Sequence, residues 1–110
     1  MKTIKNEAMK IKLIDRILII GLMPKKGNFE EIIVSEDIIN KLRVSQDEIR
    51  EYEIKSENNI TTWNNNGVIV EFDIDFTALE ADLIKKQLAV LNQNNELTKD
   101  FLPIYKLFNT

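Results

Sequence analysis

The sequence predicts an α+β fold in which helices pack on a three-stranded antiparallel meander, with a winged-helix-like order possible in the N-terminal half. Three observations carry this prediction. Apolar side chains recur at helical spacing before residue 43 and again after Thr77, and over residues 68–74 they occupy every second position, with Ile69 alone apolar on the other side. Asn28/Glu31, Ser45/Glu48 and Thr77/Glu80 repeat the three-residue spacing of a capping box, in which a short polar side chain and a glutamate close each other's backbone amides at a helix start.

Over residues 9–23, Ile11, Ile14, Leu18 and Leu22, with Leu13, Ile17 and Ile20 beside them, form the apolar face of a predicted first helix. Lys10, Lys12, Asp15 and Arg16 fall to solvent. Pro24 cannot extend the helix, and Pro24-Lys25-Lys26-Gly27 reads as a turn. Asn28 then caps a second helix whose buried stripe is Phe29, Ile32, Ile33, Ile39 and Leu42. Ser35-Glu36-Asp37 offers a competing cap that would leave residues 30–34 as a strand; one continuous helix is the preferred reading. Ser45 and Glu48 open a short helix through Glu51.

Alternation over residues 52–56 and 60–63, around Glu57-Asn58-Asn59, predicts a hairpin. Asn64-Asn65-Asn66-Gly67 reads as the next turn, and Val68, Val70, Phe72 and Ile74 as the inner face of a third strand. Thr77 starts a long helix carrying Leu79, Leu83, Ile84, Leu88 and Leu91, which ends in the asparagines after Leu91. Thr98 caps a final helix with Phe101, Leu102, Tyr105, Leu107 and Phe108 on its apolar face, where Pro103 delays regular bonding. Ile14, Ile17, Leu18, Ile32, Ile39, Val70, Phe72, Leu83, Leu88 and Phe101 are the predicted core.

The 110 residues suit one domain, 1–110, and 44% apolar against 30% charged residues is ordinary globular composition. The longest apolar run, residues 17–23, falls far short of the roughly 20 residues that span a bilayer. No membrane association is expected. An intracellular setting is the simpler reading, because no cysteine is present to build a disulfide framework.

Histidine is absent as well. Without imidazole or thiolate the chain lacks the usual transition-metal ligands, the side chain best suited to proton transfer near neutral pH and the strongest side-chain nucleophile. The expectation is a protein that is not an enzyme and takes no cofactor or metal. Glu71, Asp73 and Asp75 place carboxylates along one strand face, which reads as a solvated edge more readily than as an oxygen cage. Lys25-Lys26-Gly27 before a helix start lacks the glycine spacing of a phosphate loop.

Charge is uneven along the chain. Residues 1–26 carry seven basic and two acidic side chains, residues 27–83 four and fourteen, and residues 84–110 four and two. The acidic middle repels phosphate backbones, which argues against nucleic acid, and it suits a protein partner with a basic surface. Within it, Glu48, Glu51 and Glu53 are the candidate partner-binding carboxylates and Trp63, the one tryptophan, the candidate aromatic anchor. Trp63 has the alternative role of covering the core edge. An uncovered strand edge or an exposed Ile69 would allow a homo-oligomer.

Leu22-Met23-Pro24-Lys25-Lys26-Gly27-Asn28-Phe29, Glu51-Tyr52-Glu53-Ile54-Lys55, Thr62-Trp63-Asn64 and Leu97-Thr98-Lys99-Asp100-Phe101 together resemble a family of small uncharacterised phage-encoded proteins. The resemblance brings no catalytic residues. It implies a phage-encoded inhibitor or modulator of a host factor acting in the host cytoplasm, or alternatively a structural virion or assembly component. A winged-helix-like DNA-binding regulator is the third expectation, opposed by the acidic segment Gln46-Asp47-Glu48-Ile49-Arg50-Glu51 where a recognition helix would lie.

Overall fold

A computed structural model describes residues 7–109. The chain runs β1 (Glu7–Lys12), α1 (Leu13–Leu22), α2 (Phe29–Leu42), α3 (Gln46–Glu51), β2 (Lys55–Glu57), β3 (Ile60–Thr62), α4 (Asn65–Ile69), β4 (Glu71–Phe76), α5 (Ala78–Gln93), a 3-10 turn (Lys99–Phe101) and α6 (Leu102–Phe108). The fold is α+β, as the mixture of periodicities predicts.

The predicted first helix is half strand. Met9, Ile11 and Leu13 are buried while Ala8, Lys10 and Lys12 are exposed, a period of two that the helical reading absorbed because Ile11 also fits a helix with Ile14 and Leu18. Helix α1 starts only at Leu13, where the Asp15 carboxylate accepts the Lys12 amide at 2.9 Å. Asp15 and Arg16, assigned to solvent from the sequence, are both buried, and Leu13 and Ile19 replace Ile17 and Leu18 as the deepest residues of the helix.

The predicted three-stranded meander is two separate two-stranded antiparallel ribbons among the described residues. Strands β2 and β3 form a hairpin where one is expected, but residues 52–54 lie outside it and Glu57 is strand, because the turn is Asn58 and Asn59 alone, at φ 51° and 65°, the left-handed pair that a two-residue type I′ turn requires. The next connection is no turn. Asn64 accepts the Gly67 amide at 2.9 Å and caps α4, and that helix carries the chain away from the hairpin before β4 begins. Strand β4 therefore meets β1, with Met9 opposite Ile74 and Ile11 opposite Phe72. Val68 and Ile69, read as strand, lie on α4 and are exposed.

One face of the β1–β4 ribbon is covered by α1, α2, α5 and α6. Ile11, Ile19, Ile38, Leu42, Phe76, Ile84, Leu88 and Ile104 are its most buried members, each contributing about 1.5–3 kcal/mol on removal from water. Phe76 meets Phe108 edge-on, ring centres 5.5 Å apart, which docks the last helix. Of the predicted core, Leu83 and Leu88 are fully buried and the other eight lie at its margin, half-buried. The opposite face of the ribbon is charged, with Lys10 beside Asp73 at 3.2 Å, both exposed. Glu71 and Asp75 share this face, so the three acidic strand residues lie opposite Lys12, Lys10 and Ala8 of β1.

Candidate functional site

The three predicted capping boxes all form, and each recruits a cation from another element. In α2, Glu31 accepts the Asn28 amide at 3.2 Å and pairs with Lys86 of α5 at 2.6 Å. In α3, Glu48 accepts the Ser45 amide at 2.8 Å and pairs with Arg16 of α1. In α5, Glu80 accepts the Thr77 amide at 2.8 Å and pairs with Lys41 of α2 at 2.5 Å. Each glutamate thus closes its own helix and ties it to a second. The pairs Glu31–Lys86 and Lys41–Glu80 climb α2 as they descend α5, so these two helices are antiparallel neighbours.

Arg16 is the most heavily bonded of the cations. Its Nε donates to the Leu42 carbonyl at 3.0 Å, Nη2 to the Arg43 carbonyl at 3.0 Å, and both Nη atoms to Glu48, at 2.7 and 3.2 Å. The guanidinium also lies over the Phe72 ring at 4.5 Å, and Phe72 meets Tyr52 edge-on. The Arg16 bond holds the Glu48 carboxyl below its ordinary range, and Lys86 does the same for Glu31. Burial pushes Asp15 up, against the Lys12 amide. Burial and the neighbouring Glu51 raise the Tyr52 phenol.

These contacts decide the fate of the four predicted partner-binding residues. Glu48 is committed to Arg16 inside the fold. Glu51 and Glu53 stay exposed, and Asn64 brings them together: its Nδ2 donates to the Glu51 carbonyl and to the Glu53 carboxylate, both at 3.1 Å. Glu53 sits at φ 50°, where the chain leaves α3 for the hairpin. Trp63 is half-buried and packs on Gly67, where a Cβ would come within 2.8 Å of Trp63 Cδ1. The corner is therefore built largely of contacts that the chain makes with itself.

A second surface was not foreseen. Helix α2 buries Val34, Ser35, Ile38 and Leu42, so Phe29 and Ile33, assigned to the core from the sequence, face outward at 81% and 44% exposure. Exposed Glu30, Glu36 and Asp37 accompany them, none with an ion pair among the described residues. The outer side of α5 adds Leu79, 57% exposed, and Asp82. The signal lay in the i, i+4, i+8 spacing of Val34, Ile38 and Leu42, which by itself fills one helix face and leaves Phe29 and Ile33 superfluous.

Among the described residues no group of three or more acidic side chains is placed to hold a metal ion, and no helix is long and apolar enough to cross a membrane. No family model, curated protein or solved structure matches the chain.

Proposed function

We propose that the protein is a non-catalytic protein-binding domain whose contact surface is the outward face of α2 and its border with α5. The observation that carries this reading is Phe29, a large aromatic with four-fifths of its surface in water, one helical turn from exposed Ile33 and flanked by the carboxylates of Glu30, Glu36 and Asp37, which make no ion pair among the described residues. Grouped exposed apolar side chains with a polar rim are the anatomy of an interface, and the acid rim selects a partner with a basic surface. The role proposed for this surface is that of a phage-encoded inhibitor or modulator of a host factor.

DNA binding through the helix-helix-short helix-hairpin order is opposed by the side chains of α3. Asp47 and Glu48 neutralise Arg50 and Arg16 there, and Glu51 adds a further negative charge where phosphates would have to approach. Affinity capture from cells with the intact protein and with Phe29→Asp, followed by identification of the bound proteins, tests the proposal. A partner held by the wild type and released by Phe29→Asp at unchanged thermal stability supports it, a host protein pointing to the modulator and a capsid or tail protein to the virion component. A partner set insensitive to Phe29→Asp overturns the assigned surface.

A further inference from the structure

Beside the exposed α2 face, α2 and α5 leave a cleft of about 160 Å³ between them. Val34 and Leu83 form its floor, Leu79 and the stem of Lys86 its sides, and Glu30 and Asp82 its rim. That volume is close to the roughly 150 Å³ cavity that accepts a benzene-sized group, so it has room for one apolar side chain and little else. The Glu31–Lys86 pair leaves the lysine compensated, whereas Glu30 and Asp82 on the rim make no ion pair among the described residues.

Resting on the reading above, we infer that this cleft receives a basic amphipathic helix of the partner protein, which inserts one aliphatic side chain over Val34 and Leu83 and sets lysine or arginine against Glu30 and Asp82. Two features select this occupant. The cleft is the groove between two antiparallel helices, a shape that a third helix fills by ridge-into-groove packing. Its uncompensated charges are carboxylates, with further acid from Asp37 on the α2 side, so an acidic or neutral helix would bury or face unpaired negative charge. Leu79 then becomes part of the seam.

The probe is a synthetic helical peptide of about 18 residues, leucines along one face and lysines flanking them, long enough for roughly five turns. Titrated into the full-length protein and followed by methyl NMR, it should shift Val34, Leu79 and Leu83 first and bind more weakly as salt is raised. Leu79→Asp, and separately Glu30→Lys with Asp82→Lys, should each weaken it by about tenfold or more, since Leu79 walls the cleft and the two rim carboxylates face the cations of the helix. Charge reversal at Glu51 and Glu53, across the molecule's other acidic corner, should leave the affinity unchanged. Four results would each overturn the inference: no binding, equal binding of a peptide with glutamate flanks, equal loss on reversing Glu51 and Glu53, or concentration-dependent self-association that Leu79→Asp abolishes, which would make a second copy the occupant. A failed peptide titration beside a Phe29-dependent partner in the capture experiment would remove the cleft and its helix while leaving the broader binding role in place.

Discussion

Arg16 Nη1 lies 2.7 Å from Glu48 Oε2, and the two side chains come from helices 32 positions apart in the chain. Arg16 retains only 4% of its surface, and its other donors close the carbonyls of Leu42 and Arg43 at the end of α2. One guanidinium thus fixes the mutual placement of α1, the end of α2 and the start of α3.

Arg16→Met should therefore cost about 3–5 kcal/mol, because it keeps the stem but strands a partly buried carboxylate and two carbonyls. Glu48→Gln, which keeps one accepting oxygen but loses the charge and the second acceptor, should cost less, about 1–2 kcal/mol. Urea denaturation of both variants checks the order. A loss below 1 kcal/mol for Arg16→Met would show that the cluster does not hold the helices.

Acid should loosen the same joint. Glu48 and Glu31 have folded values below the ordinary 4.5, so each adds stability that is complete above that value and lost as the pH falls through the folded value. Asp15 works in the opposite sense: its raised value means that its contribution is largest below the ordinary 3.8 and is lost as the pH rises through the folded value. Urea midpoints measured from neutral pH down to pH 3 should fall for the wild type, and fall less steeply for Glu48→Gln. An equally steep fall in that variant would remove Glu48 from the acid response.

Gly67→Ala gives a test of sign. In an exposed helix alanine is better than glycine by about 1 kcal/mol, so an unobstructed site would be stabilised. Here the new methyl meets Trp63 at 2.8 Å, and the rigid indole has to move. The expected result is a loss of about 1–2 kcal/mol together with a shift in the emission of the single tryptophan. A stabilised protein with unchanged emission would show that Trp63 does not pack there.

Ser35 should gain from losing its hydroxyl. The side chain is buried in α2 and its Oγ has no hydrogen-bond partner among the described residues. Ser35→Ala removes an unsatisfied polar atom and improves helix propensity, for an expected gain of about 0.5–1.5 kcal/mol in thermal or urea unfolding. A loss would mean that the hydroxyl is bonded in solution.

How far the sequence carried can be traced through single residues. Asn28, Ser45 and Thr77 announced three helix starts correctly, because a capping box is a local device whose partners lie three positions apart. The hairpin was legible for the same reason. Strand β1 was not, since its partner β4 lies about sixty residues away or more and Ile11 satisfies two periods at once. Phe29 was misplaced because α2 carries more apolar residues than one face can bury, and only the position of α5 decides which of them reach the core. Arg16 was sent to solvent by its charge alone; nothing near it in the chain reveals that Glu48, Phe72 and two carbonyls would surround it. The acidic corner suffered the converse error, for Glu48 looked available until Arg16 was in view.

The double engagement of Glu31, Glu48 and Glu80 bears on how the molecule comes apart. A helix ordinarily frays from its first turn without disturbing its neighbours, but here the carboxylate that holds each first turn also grips a lysine or arginine on another helix. Opening one start releases a tie elsewhere. Local melting is thereby coupled to global melting, and the amides of Glu31, Glu48 and Glu80 should exchange with solvent on the same slow timescale as the centre of α5, not as loose ends.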